Sequence, residues 1–253
     1  MVLQLEPDGA RFRILRPFAY RDPRYEEPFV VPADVATFRT DLASIPWFFA
    51  WLVPGLGTHL PAVLVHDALV LMPGEDKTHL GPDVDREEAD RILRDAMASL
   101  GTPFLRRWLM WTAVMLATAF SALRPRARWV PTVIGTLGII VVLGVIATLD
   151  LFDALDVLPW MGERRWYVEL ATGALFAVLV PLALSVLWGR RWRVGLIAGI
   201  ALALLLHVTV AVAVVYGTYW LLEMALSGKG GSASAKVNLE QADTSEGMYL
   251  PAE

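Results

Sequence analysis

The chain has 253 residues, 56% of them hydrophobic, with a mean hydropathy of +0.49. Soluble domains are usually about 45–50% apolar, and the excess here lies almost entirely after residue 129, which indicates membrane segments rather than one large core. The absence of cysteine excludes disulfides and thiolate chemistry, and a net charge of −4 does not favour nucleic acid as a partner.

Short antiparallel strands are predicted for the first forty residues. The segments ARFRILRPFAYR (10–21) and EPFVVPADVATFRT (27–40) alternate apolar and polar residues and are rich in β-branched and aromatic side chains. Pro7, Asp8 and Gly9 stand between two such runs, which is a hairpin signal.

Helices are predicted for the rest of residues 1–123. The first runs from Pro61 to Met72, and the second opens with an Asp85–Glu88 capping box and stops at Gly101. A third runs from Pro103 to Leu123. Its part 108–123 is slightly short for a membrane span and has arginines at both ends, which favours a domain or interfacial helix over a fourth span. The sequence therefore predicts an N-terminal α+β domain.

A histidine and a carboxylate lie inside the apolar first helix. His66 and Asp67 require partners there, because an unpaired buried charge is strongly unfavourable. Asp90 lies at the border of the buried face of the second helix, so two antiparallel helices would bring it towards His66. A carboxylate that orients an imidazole builds a general base.

Alternatives remain for each of these residues. The trio could be only a polar network that locks two helices together, and Asp90 could form a surface ion pair with Arg86 or Arg94. Asp67 could hold a metal or meet Arg86. Asp41 and Ser44 lie in a loop that is either part of a site or the cap of a helix starting near Ile45.

Three apolar runs follow, at residues 130–149, 167–188 and 194–223, and each is long enough to cross a bilayer. Arginines precede the first run and lie between the second and third, whereas aspartates follow the first. The positive-inside rule then places residues 1–123 in the cytoplasm and the C-terminus outside. The arginine-biased composition suggests a bacterial source, hence the inner membrane. Residues 227–253 are predicted to be a disordered acidic tail.

Polar and small residues within these runs give further expectations. His207 in the third run is expected to be neutral and bonded to Thr172, Ser185 or a carbonyl. Pro181 is expected to kink the second run. A small-residue stripe favours close packing within the bundle or a homo-oligomer; it consists of Gly195, Gly199 and Ala203. Tryptophans at the run ends are expected to be interfacial anchors; they are Trp129, Trp160, Trp166, Trp188, Trp192 and Trp220.

The segments TDLASIP (40–46), LVHDALV (64–70) and REEADRILRDAMASLG (86–101) resemble the family called domain of unknown function 1353, over roughly residues 1–123. That family occurs mostly among phage and prophage genes. The resemblance therefore implies a partner of phage-related origin and no defined activity. The membrane runs are additional to the family pattern.

The helix pair is also similar, more distantly, to bacterial phospholipase A₂. That similarity implies that His66 is the base for water, that Asp90 orients it, and that Asp67 binds calcium together with carbonyls of Pro54-Gly55-Leu56-Gly57.

Two function classes follow from these observations. The first is a membrane-anchored docking protein that binds a phage-tail-like contractile injection apparatus or another phage-related complex; it requires an exposed surface, for which Trp47, Phe48, Phe49 and Trp51 are candidates. The second is a membrane-tethered ester hydrolase using His66, Asp67 and Asp90. The docking function is favoured, and a channel is the least favoured class.

Overall fold

The structure is a computed structural model that describes residues 2–6, 11–41, 56–70, 76–121, 125–162 and 164–227. The chain divides into two units, residues 1–211 and 212–253. The described part of the second unit, residues 212–227, is entirely helical.

Two antiparallel strand pairs open the chain, as the alternation predicts. Strand β1 (Leu3–Leu5) pairs with β2 (Phe12–Ile14), and β3 (Phe18–Tyr20) pairs with β4 (Phe29–Val31). The hairpin register places Leu3 opposite Ile14. Isolated bridges join Phe12 to Thr40 and Val30 to Leu80, so each pair is extended by a neighbouring segment.

Helices α1 (Leu60–Leu69), α2 (Arg86–Ser99) and α3 (Phe104–Ser121) follow. The capping box is confirmed, because the Asp85 side chain accepts a hydrogen bond from the backbone N–H of Glu88 at 2.8 Å. Gly101 adopts a φ of 72°, which suits a helix stop at glycine.

The core of this α+β part lies between the strands and the first two helices. Ile14, Phe29 and Val31 are completely buried there, together with residues of α1 and α2 such as Leu64 and Ile92. The buried face of α2 extends to Met97, whereas Leu100 follows the helix and is exposed.

Long apolar helices make up the second half of the described chain: α4 (Arg126–Leu151), α5 (Trp166–Ser185) and α6 (Trp192–Ser227). Two stretches are long and apolar enough to span a membrane, Ala127–Leu151 and Trp166–Leu226, each with a mean hydropathy of 2.5. The second stretch contains α5, a 3-10 turn (Val186–Arg191) and α6. Gly189 in that turn has a φ of 53°, which favours glycine, so the helix breaks there while α5 continues through Pro181.

The loop between α4 and α5 is folded around a buried carboxylate. Asp150 Oδ2 accepts hydrogen bonds from the backbone N–H groups of Val157 and Leu158, both at 3.0 Å. Two backbone donors therefore satisfy a charge at the end of an apolar helix.

Tryptophans at the run ends differ in exposure, and Trp160 is intermediate. Trp166, Trp192 and Trp220 are exposed, but Trp129 and Trp188 are buried, so the expectation of interfacial anchors is wrong for those two. Trp188 Nε1 donates to Thr136 Oγ1 at 3.2 Å.

The small-residue stripe of α6 explains this burial. A Cβ atom on Gly195 would lie 2.6 Å from the Trp188 ring, and one on Gly199 would lie 2.7 Å from Pro181. These glycines therefore pack within the chain. A homo-oligomer through them stays a prediction, and Ala203 lines a cavity instead.

Candidate functional site

The expected histidine–carboxylate pair is present at the centre of the α+β part. His66 Nε2 on α1 lies 2.7 Å from Asp90 Oδ1 on α2. Asp90 is completely buried, whereas 14% of the His66 side chain is exposed. Among the described residues the imidazole makes no second hydrogen bond. A base oriented by a buried carboxylate is chemically possible with this arrangement.

A threonine of α3 completes the network. Thr118 Oγ1 donates to Asp90 Oδ2 at 2.7 Å, and Arg86 Nε donates to Thr118 Oγ1 at 3.3 Å. Both carboxylate oxygens are thus occupied, and one buried charge joins three helices. Sequence reasoning missed Thr118, although a signal exists: it lies on the helical face of Trp111 and Met115, where a hydroxyl needs a partner.

The arginines near Asp90 have other partners than expected. Arg94 pairs with Asp95 at 2.8 Å, and Arg86 meets Thr118 rather than Asp67. A surface ion pair therefore does not account for Asp90.

Asp67 points to a different environment from that of His66. Burial raises the pKa of Asp67, and the charge of Asp41 raises it further, whereas a hydrogen bond from Thr40 and the nearby His66 oppose the increase. The resulting pKa is above the ordinary value, because burial penalises the charged form of the carboxyl.

The described residues contain no group of three His, Asp or Glu side chains placed to hold a metal. They therefore provide no further side-chain ligand for a calcium ion at Asp67. The Gly57 carbonyl accepts from the backbone N–H of Leu60 at 3.1 Å at the start of α1, while Pro54 and Gly55 lie outside the described residues. Calcium binding therefore stays a prediction.

Other expected site residues lie partly outside the described chain. Asp41 is exposed at the end of a described segment, but Ser44 and the helix expected near Ile45 fall in residues 42–55, which the structure does not describe. The aromatic surface expected at residues 47–51 falls there too. Asp41 lies close enough to Asp67 to raise its pKa, but the described residues do not include Ser44, so a role of Asp41 and Ser44 in catalysis or capping stays a prediction.

A second charged cluster escaped sequence reasoning. Arg91 on α2 contacts Asp22 at 3.0 Å, Glu88 at 2.7 Å and Asp95 at 2.9 Å. Burial raises the pKa of Asp22, but hydrogen bonds from Arg91 and from the backbone of Arg24 outweigh it and hold that pKa below its ordinary value. Since Asp22 follows β3, the cluster fastens the second strand pair to α2.

An ion pair connects the α+β part to the apolar helices. Arg191, in the turn between α5 and α6, pairs with Glu87 on α2. Its guanidinium lies 4.5 Å from the centre of the Trp129 ring, a cation–π geometry. Both contacts lie within the first unit.

The remaining histidines are His59, His79 and His207, and their burial and contacts differ from what the sequence predicts. His59 and His79 are buried, although both lie outside the predicted helices. The ring nitrogens of His79 lie 3.1 Å from the carbonyls of Ala68 and Pro82. His207 contacts Thr148 of α4, not Thr172 or Ser185, whose hydroxyls donate to carbonyls of their own helix.

A family described as "Protein of unknown function (DUF1353)" matches residues 12–114. The match supports the resemblance of the N-terminal part to that family. No curated protein and no solved structure matches the chain, and the similarity to phospholipase A₂ is not confirmed. Residues 12–114 are called the family segment below. Thr118 lies just beyond it, so the hydrogen-bond network joins the family segment to the end of α3.

Proposed function

We propose that the chain is a membrane-anchored docking protein, in which the family segment is held at the cytoplasmic face of the inner membrane and binds a partner assembly. The observation that carries the proposal is the direct packing of the segment on the apolar helices. α3 packs on both α2 and α4. The domain therefore contacts its membrane anchor directly.

An aromatic cluster stabilises the contact between the domain and the apolar helices. Trp111 and Met115 of α3 pack with Trp129, Trp188 and Val194 of the apolar helices. Buried aromatic contacts of this kind provide large apolar area at low conformational cost. With the Glu87–Arg191 ion pair, they fix the orientation in which the domain is presented to a partner.

The same contacts support three spans rather than two. The start of α4 and the α5–α6 turn lie in one cluster, as expected if α4, α5 and α6 each cross the bilayer and the break at Gly189 is a tight inner turn. Arginines of that end include Arg128, Arg190 and Arg193, which the positive-inside rule assigns to the cytoplasm.

Topology can be tested with single cysteines because the natural chain has none. Leu80→Cys probes the domain and Val157→Cys probes the α4–α5 loop; both native side chains are exposed. In intact cells an impermeant maleimide should label Val157→Cys only, and both after lysis. Labelling of Leu80→Cys in intact cells would contradict the proposed orientation.

The hairpin offers an exposed apolar surface for a protein partner. Val2, Leu5 and Leu15 are 51%, 52% and 43% exposed, and among the described residues β1 pairs only with β2. Free strand edges accept extended segments of other proteins. The phage-associated resemblance favours a component of a phage-tail-like contractile injection apparatus as that partner.

The docking test is affinity purification of the full-length protein from its native membrane. We expect a sheath or baseplate protein of phage-tail type to copurify, and we expect Leu5→Glu to reduce its recovery. Leu100→Glu is the matched control, since it adds the same charge at another exposed leucine. Recovery of phage-tail components that is equal for both variants would refute the proposed surface, and their absence would refute the partner.

Ester hydrolysis is the second candidate, favoured by the exposed edge of His66 beside a fixed carboxylate. His66→Gln separates the two functions, because glutamine can still donate to Asp90 but is not a base. The docking function requires partner recovery to survive this substitution. Hydrolysis of phospholipid vesicles by the wild type, lost in His66→Gln, would establish the enzyme instead.

A further inference from the structure

A cavity of about 380 Å³ lies between α4, α5, α6 and the α4–α5 loop. Its walls are almost entirely apolar and include Leu143, Phe176, Val180 and Leu204. The volume falls in the range of small-molecule sites, about 300–1,000 Å³. All lining residues belong to the first unit.

Small side chains leave this space open. Gly144 and Gly173 line the cavity; a Cβ atom on Gly144 would meet nothing within 4 Å, and one on Gly173 would only touch Met161 at 3.7 Å. By contrast, neighbouring side chains occupy the space beside Gly195 and Gly199. Because an empty apolar cavity is destabilising, an occupant from the bilayer would stabilise the helices.

His207 supplies a hydrogen-bond acceptor in the cavity wall. Thr148 Oγ1 donates its single proton to the Gly144 carbonyl at 2.7 Å. For a neutral imidazole, the contact between Thr148 Oγ1 and His207 Nε2 therefore has Nε2–H as the donor, and Nδ1 is then an acceptor. Nδ1 has no hydrogen-bond partner among the described residues. This inference rests on the proposed membrane anchoring, under which an unpaired acceptor in hydrocarbon is unfavourable.

The second polar position in the cavity wall also offers a hydrogen-bond acceptor. Glu169 also lines the cavity, where its Oε1 accepts from the backbone N–H of Arg164 at 2.8 Å. Both polar positions therefore present hydrogen-bond acceptors, which match a hydroxyl donor and not the oxygens of a fatty-acid carboxylate or a phosphate headgroup. We propose that the cavity binds an uncharged single-chain amphiphile, of the monoacylglycerol type, whose hydroxyl donates a hydrogen bond to His207 Nδ1.

Photo-crosslinking of the full-length protein in phosphatidylcholine nanodiscs tests this site. The probe is a monoacylglycerol with a diazirine and an alkyne in its chain, and the comparison is the methyl ester of the same acid, which has no hydroxyl. We expect labelling on peptides of α4 and α5 that unlabelled monoacylglycerol competes away. The hydroxyl probe should be favoured about ten-fold, the effect of one hydrogen bond of about 1.4 kcal/mol.

Variants locate the site. Gly144→Leu should fill the cavity and abolish the competed labelling, whereas Gly138→Leu on the same helix should retain it, since Gly138 is exposed and does not line the cavity. If Gly144→Leu does not fold, Ala177→Leu replaces it. His207→Leu should remove the preference between the two probes, and His207→Asn, whose Oδ1 is an acceptor, should keep it.

Three results would overturn the inference. The first is labelling that is not competed or that persists in both cavity-filling variants. The second is equal labelling of the wild type by the two probes, which needs no variant. The third is labelling by the free fatty acid as strong as by the monoacylglycerol.

Discussion

Replacing Thr118 by valine tests whether the carboxylate network stabilises the domain. The substitution removes the hydroxyl that donates to Asp90 Oδ2 at 2.7 Å and replaces it with a methyl group of similar size. Asp90 is completely buried, so water does not replace the lost donor. A hydrogen bond to a charged group contributes about 1.5–3 kcal/mol, and we expect the free energy of unfolding to fall by that amount.

Thr112→Val is the matched control. Thr112 lies on the same helix and is also buried, but its hydroxyl has no hydrogen-bond partner among the described residues. Removing an unpaired buried hydroxyl should leave stability unchanged or increase it by roughly 0–1 kcal/mol. Helix propensity and side-chain shape change equally in both variants, so the difference between them isolates the bond to Asp90.

Thermal unfolding of the full-length protein in one detergent at one scan rate provides the measurement. For a unit of this size about 1 kcal/mol corresponds to about 2–4 °C, so Thr118→Val should unfold roughly 3–12 °C below the wild type. The reasoning is refuted if Thr118→Val and Thr112→Val unfold at the same temperature. Combination with Asp90→Asn should give a non-additive effect, since the two side chains share one bond.

Further predictions concern pH and packing. Asp67→Asn should stabilise the protein at pH 7 and have little effect below the ordinary aspartate pKa, because the raised pKa of Asp67 provides stability that is lost as pH rises through the folded-state value; unfolding measured against pH checks this, and a calcium-dependent stability lost in Asp67→Asn would instead support a metal role. The lowered pKa of Asp22 has the opposite sign: its stabilisation by Arg91 is present above the unfolded-state pKa and disappears as pH falls towards the folded-state value, so Asp22→Asn should flatten the acid limb of the same curve. Gly195→Ala should lower the unfolding temperature because its Cβ would lie 2.6 Å from a buried indole, whereas Gly135→Ala, with nothing within 4 Å, should be neutral or stabilising by about 0.5–1 kcal/mol; equal behaviour of the two variants would contradict the packing.

Local signals predicted much of the fold. The hairpin before residue 15 follows from strand alternation around Pro-Asp-Gly, and α2 begins and ends where its capping residues Asp85 and Gly101 stand. The apolar helices follow from length and hydropathy alone. In each case the residues that determine the element lie within a few positions of one another, so the element forms without contacts from distant parts of the chain.

The pairing of His66 with Asp90 was within reach of sequence reasoning because each lies at a definable position on an amphipathic helix, and two short helices have few ways to pack. Its completion by Thr118 was not, since many threonines lie on apolar faces and only the approach of α3 selects one.

The amino-acid sequence alone determined an N-terminal α+β part, apolar helices long enough to cross a membrane, and an imidazole in an apolar helix that needs a carboxylate partner. Tertiary structure decided which hydroxyl donates to Asp90, that Asp22 pairs with Arg91, that Trp188 lies inside the bundle, and that His207 meets Thr148 beside a cavity. The reason is physical: helix and strand formation depend on neighbours along the chain, whereas these contacts join residues 28 to 69 positions apart and exist only once the helices have packed.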